Sequence, residues 1–202
     1  MPRSFAVTFD YLCPFARNAA EHVIIALRGG ADWDVTFVPY SLSQGHVPEG
    51  EPAVWDRDEP DRKSGVLALQ VGLAVRDHFP RQFLEVHEQL FAARHDHDRD
   101  IKDRAVLRDT VEAAGVAGDK VLEIVGTGSP LRTLRDEHLA AVERHNVWGV
   151  PTFITDARAV FVRIMDRPDG DVTVARRRIE QIIDLVDSPL ELHEFKQTVL
   201  AR

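Results

Sequence analysis

The chain has 202 residues, 44% of them hydrophobic, which is long enough for one well-buried domain. Acidic residues outnumber basic ones 33 to 25, for a formal charge of −8, and this argues against a general binder of nucleic acid or of anionic membranes. No apolar run approaches the roughly eighteen residues needed to span a bilayer, and a single cysteine, Cys13, excludes an internal disulfide.

Met1-Pro2-Arg3-Ser4 runs directly into an apolar stretch with no signal-peptide core, so a cytoplasmic location is expected. Phe5 to Phe9 reads as a short strand. Ala19, Val23, Ala26 and Leu27 then recur at spacings of three and four, which predicts a helix over 14–28 stopped by Gly29 and Gly30. Trp33 to Tyr40 is rich in β-formers and predicts a second strand, parallel to the first. Residues 41–62 carry Gly45, Pro48, Gly50, Pro52 and Pro60 and read as a long loop. Ser41, Gln44, His46 and Trp55 are candidate substrate contacts there; the competing reading is a solvated linker with Trp55 tucked onto the helical segment beyond it.

From Ser64 the pattern turns helical. Ser64 caps a helix running to about Asp77, and Pro80 opens a second with Phe83, Val86, His87, Leu90 and Phe91 as its stripe. Asp103 caps a third, with Val106, Leu107, Val111 and Ala114 inward and Gly115 at its end. Asp119 to Val125 is a short fourth, and Ser129-Pro130 begins a fifth, with Leu131, Leu134, Ala141 and Val142 on one side, ending near Asn146. Thr152–Thr155 and Ala159–Ile164 then suggest a hairpin through Asp156-Ala157-Arg158. Val174, Ile179, Ile182, Ile183 and Val186 mark a helix over the sheet, and Ser188-Pro189-Leu190-Glu191 has the form of a capping box before a short terminal helix.

His95-Asp96-His97-Asp98-Arg99-Asp100 has metal-ligand residue types, but alternating residues of one loop rarely close a site; a helix end and charged turn explain it, and no metal is expected. His22, His87, His138 and His145 fall on helices and read as packed or surface residues, and Arg176-Arg177-Arg178 as a solvated face. Chemistry concentrates at Cys13. It falls where the first strand gives way to the first helix, with Pro14 at the first helical position. Unpaired N–H groups and the positive end of the helix dipole there favour a thiolate, which predicts a lowered pKa and a nucleophile. The bland alternative is a small buried hydrophobe.

Phe9-Asp10-Tyr11-Leu12-Cys13-Pro14-Phe15-Ala16, together with Val147-Trp148-Gly149-Val150-Pro151-Thr152-Phe153 far downstream, resembles the DsbA-like branch of the thioredoxin superfamily, which includes DsbA and FrnE-type oxidoreductases. The resemblance implies an α/β thioredoxin-like fold over 1–202, with a helical insertion at 62–146 between an N-terminal βαβ unit and a C-terminal ββα unit. It implies Cys13 as nucleophile, a cis Pro151 opposite it, and substrate contacts from Pro14, Phe15, Ala16, Val150, Pro151 and Thr152. The family carries a second, resolving cysteine where this chain has Ala16. A mixed disulfide on Cys13 would therefore be resolved by an outside thiol, such as glutathione or mycothiol, in a monothiol mechanism with no resident cofactor. The implied partner is a thiol or disulfide substrate, small or protein. Two alternatives stay open: a transferase or isomerase like the related kappa-class glutathione transferases and 2-hydroxychromene-2-carboxylate isomerases, which typically carry serine in place of Cys13, and a non-catalytic binding protein.

Overall fold

In the computed structural model, strand β1 (Arg3–Phe9) forms the inner rail on which the rest is hung. The structure describes residues 2–58, 65–156 and 158–188. β1 pairs in parallel with β2 (Trp33–Pro39), from Arg3 opposite Trp33 to Phe9 opposite Pro39. On its other side β1 pairs antiparallel with β3 (Thr152–Ile154), which in turn pairs antiparallel with β4 (Ala159–Phe161), giving the order β2-β1-β3-β4. Helix α1 (Pro14–Arg28) makes the parallel crossover, and Gly30 ends it with φ of +84°, a backbone conformation open to glycine. Helix α8 (Val172–Asp187) packs on α1 and is capped by Asp171, whose side chain accepts from the N–H groups of Thr173 and Val174. This is the α/β thioredoxin-like arrangement.

The stretch after β2 differs from the expected plain loop. Ser41 caps a single helical turn, α2 (Leu42–Gly45), by accepting from Gln44 N–H. Ser64 and Pro60 lie outside the described residues, and the next helix, α3 (Val66–His78), follows Gly65. α4 (Phe83–His95) begins three residues beyond Pro80, because residues 79–82 form a separate turn in which Gln82 N–H bonds Phe79 O. α5 (Arg104–Ala113) is capped by Asp103, and α6 (Gly118–Gly126) and α7 (Ser129–His145) complete the helices between β2 and β3. α7 ends on Asn146 in the left-handed conformation, a frequent helix stop. Its inward face is Pro130, Leu134, His138 and Ala141; Val142, expected inward, is exposed.

β4 is also shorter than the expected Ala159–Ile164. The Asn18 side chain on α1 takes the carbonyls of Ile164 and Met165 at 2.9 and 3.1 Å, which draws that segment off the sheet and onto α1. The expected turn includes Ala157, and the proposed terminal helix runs through Pro189 and beyond; both lie outside the described residues.

The helices of this middle segment are welded to the sheet by an aromatic knot. His87 of α4 is surrounded by the rings of Phe9, Tyr11, Phe37, Phe83 and Phe91, with centroids 4.6 to 5.3 Å away. Full burial drives its pKa down to about 3, so it is neutral, and its Nδ1 meets the Tyr11 hydroxyl at 2.9 Å. Burying each such ring contributes about 1.5–3 kcal/mol. Arg76 of α3 adds a second weld, bonding Glu137 of α7 at 2.8 Å and the Phe37 carbonyl at 3.0 Å. Among the described residues no helix is long and apolar enough to cross a membrane.

Gly72 on α3 makes room for Tyr11: a Cβ there would sit 2.3 Å from the Tyr11 hydroxyl. Since that hydroxyl is pinned by His87, it cannot swing away cheaply. Gly72→Ala should therefore lose about 1–3 kcal/mol of stability, despite alanine's better helix propensity; an unchanged denaturant midpoint would show that the knot is softer than described.

Candidate active site

The turn Asp10-Tyr11-Leu12-Cys13 is built before the thiol is placed. Asp10 is fully buried, and its two carboxylate oxygens accept from Leu12 N–H at 2.9 Å and Leu42 N–H at 2.8 Å. Burial outweighs those two bonds and lifts the Asp10 pKa to about 6. The Asp10 carbonyl accepts from Cys13 N–H at 3.0 Å. From the other side, His95 Nε2 lies 2.9 Å from the Tyr11 carbonyl, so α4 grips the same turn a second time.

Cys13 is the N-cap of α1. Its Sγ accepts from Ala16 N–H at 3.4 Å and donates to the carbonyl of Val150 at 3.3 Å. The Val150–Pro151 peptide is cis. The loop that carries it is tied to the sheet: Thr152 N–H bonds Thr8 Oγ1 at 2.8 Å, Thr152 Oγ1 bonds Gly149 O at 2.8 Å, and Val162 N–H bonds Pro151 O at 3.1 Å. The structure therefore brings Cys13, Ala16 and Val150 together at bonding distance, with Pro151 and Thr152 behind Val150. Pro14 is exposed at the helix start, Phe15 is half-buried, and Ala16 is buried in the core.

One expectation is reversed. The helix start was expected to lower the thiol pKa, but Cys13 is only 7% exposed, and burial pushes the thiol above its ordinary range. The N–H groups of Ala16 and Phe15 pull in the expected direction and are outweighed; the nearby Asp10 charge adds to the rise, and the Arg163 guanidinium opposes it. The Val150 carbonyl is satisfied by a thiol and would face a thiolate lone pair to lone pair, which also favours the protonated form.

Three of the four loop candidates are tied into the interior, and the fourth, His46, is exposed. Ser41 N–H bonds His138 Nδ1 at 3.1 Å, Gln44 Oε1 takes Val54 N–H at 2.9 Å, and Trp55 stands edge-on to the His138 ring. His46 Nδ1 bonds the Leu42 carbonyl of its own turn. His138 itself is neutral, its pKa lowered to about 4 by burial. In the acidic run, His95 is committed to Tyr11, and Asp96 pairs with Arg17 and Arg167. Among the described residues no three His, Cys, Asp or Glu side chains gather as a metal site.

Two neighbours of the thiol are not singled out by the sequence. Asp10 lies within the N-terminal motif without an assigned role, and Arg163 belongs to an expected strand. Asp10 has a local signal, an Asp bonding the N–H two residues on in the turn before the thiol; Arg163 has none, since it reaches the site only across a fold-dependent contact.

The family model for the DSBA-like thioredoxin domain matches residues 6–169. No curated protein matches the chain. Among solved structures it is similar to the cytosolic disulfide reductase DsbM from Pseudomonas aeruginosa with GSH, at 18% identity over 89% of this chain and 98% of that one, with a TM-score of 0.61. It is also similar to a putative protein disulfide isomerase from Nitrosomonas europaea, at 11% identity over 92% and 99%, TM-score 0.63. BdbD from Bacillus subtilis in its oxidised form aligns at 16% identity over 88% and 85%, TM-score 0.58.

Labelling of Cys13 by iodoacetamide should have a pH midpoint above the free-cysteine value of about 8.5, and Asp10→Asn, which removes a buried negative charge, should move that midpoint down. A wild-type midpoint below about 7 would contradict this account of the thiol. The chain belongs to the DSBA-like thioredoxin domain family.

Proposed function

We propose that this protein carries out thiol–disulfide exchange by a monothiol route through Cys13. The supporting observation is the placement of the chain's one cysteine at the α1 N-cap, against the backbone of Val150 and Pro151, with Ala16 where a resolving thiol would stand. In the first step the Cys13 thiolate attacks one sulfur of a substrate disulfide. A Cys13–substrate disulfide forms, the substrate S–S bond breaks, and the departing thiolate takes up a proton. In the second step an outside thiolate attacks the substrate sulfur of that mixed disulfide, forming a new disulfide and returning Cys13 as thiolate. The electrons come from the outside thiol, and Cys13 ends as it began.

The high thiol pKa bears on the rate. Because Cys13 ends as it began, the substrate and the outside thiol set the direction of exchange, while burial of Cys13 lowers its thiolate fraction and slows the first step. The relative from Pseudomonas aeruginosa is described as a cytosolic disulfide reductase with GSH, and the same class of reaction, in the cytoplasm, with glutathione or mycothiol as the outside thiol, suits this chain. Of the substrate contacts that the family resemblance implies, Pro14 and Phe15 offer accessible surface, while Ala16, Val150, Pro151 and Thr152 are buried about the thiol.

The burial of Sγ favours one competing reading, a binding protein that kept the fold without turnover. Kinetics separate the two. With a small mixed disulfide as substrate and excess outside thiol, turnover should be ping-pong and vanish in Cys13→Ser. Ala16→Cys should release the bound half of the substrate by forming an intramolecular disulfide, so that a single turnover no longer needs the outside thiol, which is still required to reduce that disulfide before the next. No turnover at any pH up to about 9.5, beyond the ordinary thiol pKa, would leave the binding protein standing.

A further inference from the structure

Arg163 bridges the two segments that flank the thiol. Its guanidinium lies over the Phe15 ring at 5.4 Å and over the Phe161 ring at 5.7 Å. Phe15 is two residues beyond Cys13 on α1. Phe161 is opposite Thr152 in the β3–β4 pairing, and its ring would be 3.3 Å from a Cβ on Gly149, so it underlies the loop that carries Val150 and Pro151. The cation thus rests on one aromatic ring from each segment.

Its partners set it apart from the other arginines of this region. Arg17 pairs with Asp96, and Arg167 with Glu21 and Asp96. Among the described residues no carboxylate pairs with Arg163, which is exposed. Stacking on rings restrains a guanidinium without using the fork of N–H donors that binds a carboxylate. Beside it the surface is apolar and open: Trp148 is 69% exposed and lies on Phe161 at 4.5 Å, and Met165 is 50% exposed. On a chain of net charge −8, a lone cation on an apolar shelf beside the reactive sulfur is complementary to a small ligand that carries a carboxylate.

We infer that Arg163, seated on Phe15 and Phe161, is an anion-reading residue of the thiol site, and that the small thiol or disulfide taken there carries a carboxylate close to its sulfur. This rests on the reading of Cys13 as the reacting group. It implies that a carboxylate-bearing thiol such as glutathione is preferred over an uncharged one such as mycothiol.

Two alkylating reagents of similar size, one anionic and one neutral, test it. The rate with iodoacetate divided by the rate with iodoacetamide cancels the thiolate fraction of Cys13. Normalised to a cysteine peptide, that ratio should be raised about three- to fivefold by one charge contact at an exposed site, should fall to that of the peptide in Arg163→Met, and should be largely kept in Arg163→Lys. A ratio unchanged by Arg163→Met, or equal loss of both rates, would overturn the inference, because Arg163 would then act on the thiolate or on nothing. Should Cys13 label with neither reagent, the reading of Cys13 as nucleophile fails, and binding alone decides the anion site. Quenching of tryptophan fluorescence by S-methylglutathione, but not by its diethyl ester, and lost in Arg163→Met, would uphold it; no such difference would refute it.

Discussion

The geometry of the site turns on one contact between its two halves: the Cys13 thiol, accepting from Ala16 N–H and donating to the carbonyl of Val150. The partners are 137 residues apart in the chain, one at the start of the helix after β1 and the other in the loop before β3. Both strands sit side by side in the sheet, with Ala6 opposite Ile154 and Val7 opposite Phe153. Because β1 lies between β2 and β3, any shift of β3 along it would carry Val150 away from the sulfur. The bond from Thr152 N–H to Thr8 Oγ1 pins that register within two residues of the contact.

The helices between β2 and β3 serve this geometry. α4 reaches the turn before Cys13 twice, with His87 on the Tyr11 hydroxyl and His95 on the Tyr11 carbonyl, while α3 supplies the hollow at Gly72 into which Tyr11 fits. Asp10 adds the short α2 turn through Leu42 N–H. The same enclosure has a chemical consequence. By excluding water it raises the thiol pKa, so the features that position the sulfur also keep it protonated.

Much of this was legible in the sequence, for physical reasons that can be named. Local periodicity disclosed α1 and its Pro14 start, since helix faces and caps depend on neighbours three and four residues apart. The two motifs placed Cys13 against Val150 and Pro151, because their chain order fits the family topology. What escaped was the pattern of coverage, which side chain lies under which. The pull of a helix N-terminus on a thiol is local and readable; the desolvation that overrules it depends on the loop that closes over Cys13. Asn18 ended β4 early by taking carbonyls 146 and 147 residues away. His87 looked like one more helical histidine until the rings of β1, β2, the Tyr11 turn and its own helix closed round it. Arg163 read as a strand residue, and its place between Phe15 and Phe161 arises only when β4 lies beside β3.

Intact-mass analysis of the purified chain with glutathione disulfide, followed by added free thiol, tests the central claim most directly. The account predicts one adduct per chain, absent from Cys13→Ser, formed faster as pH rises toward about 9, past the ordinary thiol pKa, and removed by the second thiol. A chain that takes up no adduct across that range, or one whose adduct the second thiol cannot release, would contradict monothiol exchange at Cys13.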